Sequence, residues 1–339
     1  MSSQPEIPAG GPAAVTVPDK TPTLSRTRPP APAAFMIWSA LGVVYVVWGS
    51  TYFGILTMAR YLPELWASAV RFLVAALILS VILMIRSGTG VLKVTPRQFA
   101  SAGLVGVLLL TGGNGLLTVA ESPKFGLPSG VAALLIALTP LLLVGLRATT
   151  GDRPRVATLI GVAIGLTGCA VLFAPGSRTG AIPVAGGLLV LLGVLCWGGG
   201  SFISRWLPMP ANPFVTSVYE MIVGGAVLIG VASLRHEPAP WRWSAVPAAA
   251  WWALGYLVVF GSIVGFTAYV WLLHHAPISL VATYAYVNPV IALALGVLFA
   301  GEALTRQVLV ASAAVVLGVV LVVSTERPRA AVPAQSDQA

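Results

Sequence analysis

Two ionisable residues stand well inside apolar stretches of this sequence, Arg71 and Glu220. An ion in such a setting is costly, so it is either paired or put to use. An arginine there could hold an anionic group, and a glutamate could carry a coupling proton or hold a cation. The residues leave a structural alternative open, in which each side chain bonds a neighbouring helix or snorkels to the interface. Their positions are related. Ser68-Ala69-Val70-Arg71-Phe72-Leu73-Val74 returns 149 positions later as Ser217-Val218-Tyr219-Glu220-Met221-Ile222-Val223. The same offset carries Trp48-Gly49 onto Trp197-Gly198 and Pro140 onto Pro289.

Other groups could join them. Pro140 and Pro289 each remove an amide donor and crowd the preceding turn, so their helices should kink or open. Thr139, Tyr284, Tyr286 and Asn288 lie beside these prolines and offer hydroxyl, aromatic and amide contacts. Asn114, within Gly112-Gly113-Asn114-Gly115, is expensive in hydrocarbon unless bonded, so it should face the interior. Its counterpart region, Gly261 to Gly265, contains Ser262. Trp48, Tyr52 and Trp197 either line a cavity or belong to an aromatic interfacial belt. Arg71, Asn114, Glu220, Tyr284, Tyr286 and Asn288 are the binding or coupling candidates. Trp48, Tyr52, Trp197 and Ser262 are candidates for the cavity wall. Glu121, Asp152 and Glu302 fall at segment ends and read as solvated caps. Gly161 and Gly165, at GxxxG spacing, serve close helix packing or a subunit contact.

What positions these groups is a set of membrane helices. The chain is 57% apolar and 9% charged, against roughly a quarter charged in soluble domains. A bilayer core needs about 20 helical residues to cross. Ten runs qualify: 35–57, 66–86, 98–120, 127–147, 156–174, 185–206, 214–234, 247–272, 279–300 and 307–324. They are continuously apolar and do not alternate, which excludes a β-barrel. The fold expected is therefore all-α, with ten transmembrane helices in two five-helix repeats, 35–174 and 185–324. Five is odd, so the second repeat must be inverted relative to the first. Arg71 and Glu220 would then lie about 8–9 Å from opposite faces at 1.5 Å per residue. A tight direct salt bridge between them is not expected.

With the N-terminus inside, 12 of the 19 Lys and Arg fall on the inner side and 6 on the outer, Arg71 lying within a segment. That bias puts both termini in the cytoplasm. Residues 1–34 hold eight prolines and no apolar periodicity, so they should form a disordered tail, as should 325–339. The net charge of +9 is scattered between apolar runs, without the basic face that nucleic acid requires. Cys169 and Cys196 lie inside apolar segments and suggest neither a disulfide nor a metal site. HExxH, GxSxG and GxxxxGK[ST] signatures are missing, so no enzyme, metal or cofactor is expected.

Together these residues resemble the EamA-domain members of the drug/metabolite transporter superfamily, and most closely the YedA-like branch. The likeness rests on Trp48-Gly49-Ser50-Thr51-Tyr52-Phe53, Arg71-Phe72-Leu73, Gly113-Asn114-Gly115 and Ala120-Glu121. It continues through Pro128-Ser129-Gly130, Glu220-Met221, Ala282-Thr283, Tyr284-Ala285-Tyr286-Val287-Asn288-Pro289 and Gly301-Glu302. It covers residues 38–324. The resemblance implies ten helices around a central cavity, the fifth and tenth at the periphery, and gradient-driven export or exchange of small metabolites, amino acids or amphiphilic compounds. One departure stands out: Gly151-Asp152 matches Gly301-Glu302 at 150 rather than 149, a one-residue slip. The expectation is a secondary transporter in the cell membrane, working by alternating access on a small molecule, with Glu220 the candidate if a proton is coupled. A multi-pass sensor or scaffold is the alternative.

Overall fold

A computed structural model describes residues 34–151, 155–172, 183–237 and 245–325, and all the regular structure among them is helical. Both tails, Asp152 and the side chains of Cys169 and Tyr286 lie outside the described residues. In chain order the helices are α1 (Ala34–Ala59), α2 (Glu64–Ser87), α3 (Pro96–Glu121), α4 (Ser129–Thr149) and α5 (Val156–Leu172). They continue as α6 (Val184–Trp206), α7 (Pro213–Leu234), α8 (Ala248–His275), α9 (Tyr284–Phe299) and α10 (Arg306–Thr325). Seven of these, α1–α4 and α6–α8, are long and apolar enough to cross a membrane. The apolar stretches of the other three are shorter: Val156–Gly168, Val287–Phe299 and Arg306–Val322.

The proline segments open as expected, though not at matching places. In α4 the helix breaks at Ala137–Leu138, just before Pro140 in the first turn of Thr139–Thr149. Ahead of α9 a single turn, Ile278–Val281, breaks at Ala282–Thr283, and Pro289 sits inside the continuous helix that follows. In both, the interruption lies on the N-terminal side of the ring, where proline crowds the preceding turn. The earlier break is also what leaves α9 short. Gly151 and Gly301, at φ +86° and +68°, close α4 and α9 in the left-handed conformation that suits glycine.

α2 and α7 hold equivalent places in the two repeats and run antiparallel. Glu237, just past α7, accepts hydrogen bonds from the amides of Leu65 (3.0 Å) and Trp66 (3.3 Å) at the start of α2. Near the start of α7, Tyr219 donates to the Leu92 carbonyl beyond the end of α2 at 2.5 Å. The Glu237 contact repairs a defect. α2 begins behind Pro63 and α4 behind Pro128, neither of which has a side chain able to cap. Glu302 closes the second gap, accepting from Ser129 N (2.7 Å), Ser129 Oγ (2.6 Å) and Gly130 N (3.1 Å). Both of these first-repeat helices are thus capped by a second-repeat carboxylate. Burial, with Glu64 nearby, holds Glu237 above the usual carboxylate range, against the pull of those two amides and of Arg235.

Glycine sets the tightest crossings. A Cβ on Gly106 of α3 would stand 2.6 Å from Glu220 Cα on α7. Gly161 of α5 faces Gly318 of α10, a Cβ on either falling within 2.8 Å of the other's carbonyl oxygen. The GxxxG pair is therefore used inside the chain, joining its fifth and tenth helices. Gly106→Ala should destabilise the protein by about 1–3 kcal/mol, because backbone cannot yield as a side chain can. Gly145→Ala, with nothing within 4 Å of its added carbon, should stabilise by about 0.5–1 kcal/mol. Thermal unfolding in detergent measures both, and equal shifts would refute the packing account.

Candidate functional site

Both α3 and α8 widen midway. Val107–Gly115 and Leu257–Phe266 are π-helical, nine and ten residues long, at equivalent positions in the two repeats. Such turns are uncommon and cluster at functional sites. Here each presents a polar side chain to the same guanidinium. Arg71 of α2 donates from Nε to Ser262 Oγ at 2.8 Å and from a terminal nitrogen to Asn114 Oδ1 at 3.2 Å. Its other terminal nitrogen rests on Gly261, where a Cβ would be 2.9 Å away. Arg71 is only 3% exposed, and no carboxylate pairs with it among the described residues. It is a buried cation held by neutral acceptors, which is a poor exchange for water and leaves its charge uncompensated.

That cation lines a narrow cavity between the repeats, with about 60 Å³ of room for water-sized molecules. The wall includes Trp48, Thr51 and Tyr52 of α1, Asn114 of α3, Thr139 of α4, Trp197 of α6 and Tyr284 of α9. A water occupies about 10–15 Å³ on this measure, so the cavity holds a few waters or a small polar group. Along it four rings cluster, some edge to face and some tilted. Trp48 stands 5.4 Å from its repeat counterpart Trp197, 4.8 Å from Tyr269 and 5.4 Å from Tyr284. Tyr269 is fixed by Trp197 Nε1 (3.2 Å) and Ser201 Oγ (2.8 Å), and Trp48 Nε1 donates to the Gly261 carbonyl at 3.3 Å.

Beyond the rings lies a larger vestibule with about 510 Å³ of room, lined by Ser201, Arg205, Glu220 and His274. Glu220 is 2% exposed and its Oε2 has no hydrogen-bond partner. Arg205 does not pair with it, its guanidinium lying 4.0 Å from the ring centres of Phe202 and Trp206. Arg71 and Glu220 line different cavities, and no salt bridge joins them among the described residues. A third hollow, at the opposite face, contains Arg60, Glu121 and Glu302.

Of the candidates, Arg71, Asn114, Tyr284, Trp48, Tyr52 and Trp197 meet at the central cavity. Ser262 supports it from behind through Arg71. Asn288 lies outside the wall, buried; with its amide turned so that the nitrogen faces the acceptors around it, it donates to the carbonyls of Tyr45 (3.1 Å) and Tyr284 (3.2 Å) as a brace across α1 and α9. Glu220 serves the vestibule. Tyr286 belongs to α9, with its side chain outside the described residues. The sequence reading missed Tyr269, whose repeat partner is Ala120 and which no motif marks. Glu121 was read as solvated, yet it is 2% exposed and neither carboxylate oxygen has a partner. A position near a segment end does not show that the neighbouring loop folds over it.

Comparison with known proteins adds to this geometry. The EamA-like transporter family matches residues 35–174 and again 184–324. The chain belongs to that family. It is 35% identical to YedA of Escherichia coli (strain K12), named as an uncharacterized inner membrane transporter, over 84% of this chain and 90% of that one. YvbV of Bacillus subtilis (strain 168), an uncharacterized transporter by name, is 24% identical over 83% of this chain and 90% of its own. A crystal structure of a protein 22% identical superposes with a TM-score of 0.61, covering 86% of this chain and 97% of the other, and shares the fold. The chain is a multi-pass integral membrane protein of a transporter family. Ser262→Ala should cost about 1.5–3 kcal/mol of stability, the range for a hydrogen bond to a charged group. In the Arg71→Met background the loss should largely vanish, and additive costs in that double-mutant cycle would contradict the contact.

Proposed function

We propose that this EamA protein is a secondary active transporter that exports small metabolites bearing a carboxylate or similar anionic group. The observation that carries this reading is Arg71: a buried guanidinium on a cavity wall, held by Asn114 and Ser262, with no counter-ion among the described residues. An incoming anion would supply the missing charge, and the surrounding rings would pack against an apolar body. Amino acids and amphiphilic acids have that form. The antiparallel α2 and α7 support two inverted five-helix repeats, with α5, α9 and α10 as the shorter of ten spans. In that arrangement the halves rock about the cavity and expose it to one side at a time. With both termini cytoplasmic, the Glu220 vestibule faces the cytoplasm and the Arg60 face lies outside, in the inner membrane. Glu220, with a free oxygen in the vestibule, is placed to carry the coupling proton.

Flux of labelled amino acids and monocarboxylates from proteoliposomes, with and without a pH gradient, tests this. Arg71→Met should reduce flux about ten- to a hundredfold, the equivalent of about 1.5–3 kcal/mol of lost charge-assisted bonding, while the protein still elutes as a folded species. Glu220→Gln should abolish the response to the pH gradient and leave exchange at zero gradient intact. Wild-type flux by Arg71→Met would refute the anion site, and a wild-type gradient response by Glu220→Gln would remove that residue from coupling.

A further inference from the structure

The hollow at the Arg60 face contains a group that the transport reading does not use. Glu121 ends α3 with both carboxylate oxygens buried and unpartnered, in a space with about 320 Å³ of room that it shares with Glu302 and Arg60. The two glutamates differ in their bonding. Glu302 is fully engaged by Ser129 and Gly130, whose three donors suit a carboxylate. Glu121 has no donor. Ionised, Glu121 would face a second carboxylate in the same hollow, with no hydrogen bond to offset its burial and no ion pair to Arg60 among the described residues.

We infer that Glu121 is a proton-binding site, and that its proton keeps Glu302 seated on the start of α4. The proton comes from water in the hollow and returns to it; no other group is consumed. A metal cation fits less well, since hard cations take six or more oxygen ligands, and Glu302 has already committed both of its oxygens.

The other charged groups near Glu121 do not supply what it lacks. Arg60, at the end of α1, lines the hollow but forms no ion pair with either glutamate among the described residues. Tyr52 of α1 lies within electrostatic reach. Lys124, on the connection to α4, is turned to the neighbouring Phe125 ring at 5.7 Å. Glu64, at the head of α2, is paired with Arg235 at 3.5 Å. α4 brings no ionisable side chain between Leu127 and Leu146, and α6 none between Val184 and Leu195. Losing the proton would thus set an unpartnered charge on Glu121 against Glu302, and the bonds to Ser129 and Gly130 would loosen. This site is separate from Glu220 in place and does not depend on what the protein carries.

Infrared spectroscopy of the purified full chain reads the proton directly. The wild type at neutral pH should show a protonated-carboxyl carbonyl band that is missing from Glu121→Gln and present in Glu220→Gln. Glu121→Asp, a smaller change, should shift that band rather than delete it, which covers the case of a glutamine variant that does not fold. Hydrogen exchange reads the consequence: as pH rises, the Ser129 and Gly130 amides should lose protection in the wild type and keep it in Glu121→Gln at the same pH. A band unaltered by both Glu121 variants, or equal exchange in the two proteins, would overturn the inference. Neither readout involves flux, so failure here is distinct from failure of the transport assignment.

Discussion

A helix that starts behind a proline in a low-dielectric setting has free amides and no side chain of its own to meet them. In this protein α2, α4, α6 and α8 all begin so, and for α2 and α4 the need is met from across the repeat boundary by Glu237 and Glu302. Left unmet, such buried amides carry a free-energy cost. The two contacts therefore do more than close helix ends. They fix which ends of the two repeats lie together, and so the direction of α7 against α2, the closure of one face and the depth at which Arg71 sits.

Around that joint the pseudo-symmetry is partial, and its exceptions carry the chemistry. Trp48 and Trp197 are equivalent and touch, the two widened turns are equivalent, and α5 meets α10 through matching glycines. Arg71 and Glu220 are equivalent in place and opposite in charge. One rests on two neutral side chains beside a tight cavity, while the other looks into a wide vestibule. Asn114 and Ser262 come from the two widened turns, but both serve Arg71, so the second copy keeps no equivalent support for Glu220. Duplication built the frame, and substitution afterwards gave its two sides different tasks.

Much of this could be read in the amino acids. Apolar run length located the helices to within a few residues, because the bilayer requires about 20 residues whatever the sequence. The 149-residue repeat paired Arg71 with Glu220 and Trp48 with Trp197 before any coordinates. What could not be read depended on distant packing. Asn288 resembles a ligand residue by type and neighbourhood, but its partners are carbonyls 243 and 4 positions away, and only the packing of α1 on α9 decides that. The break before α9 follows Ala282–Thr283 rather than Pro289, since the cost of a proline can be relieved anywhere along the preceding turns. Glu121 at a segment end looks solvated until the connection to α4 covers it. The widened turns had a visible trace, glycines with one polar residue at matching offsets, whose meaning depended on where Arg71 would lie.

The uneven distribution of the trans caps bears on how the protein moves. Both lie at one face, and α7, which starts at the other, is capped by its own Asn212 (3.0 Å to Phe214 N). On the proposed rocking, parting the repeats at the first face would strip acceptors from the amides of Leu65, Trp66, Ser129 and Gly130, whereas among the described residues no carboxylate of one repeat caps a helix of the other at the second. If the repeats rock as proposed, the barrier to opening is lopsided, higher at the first face than at the second.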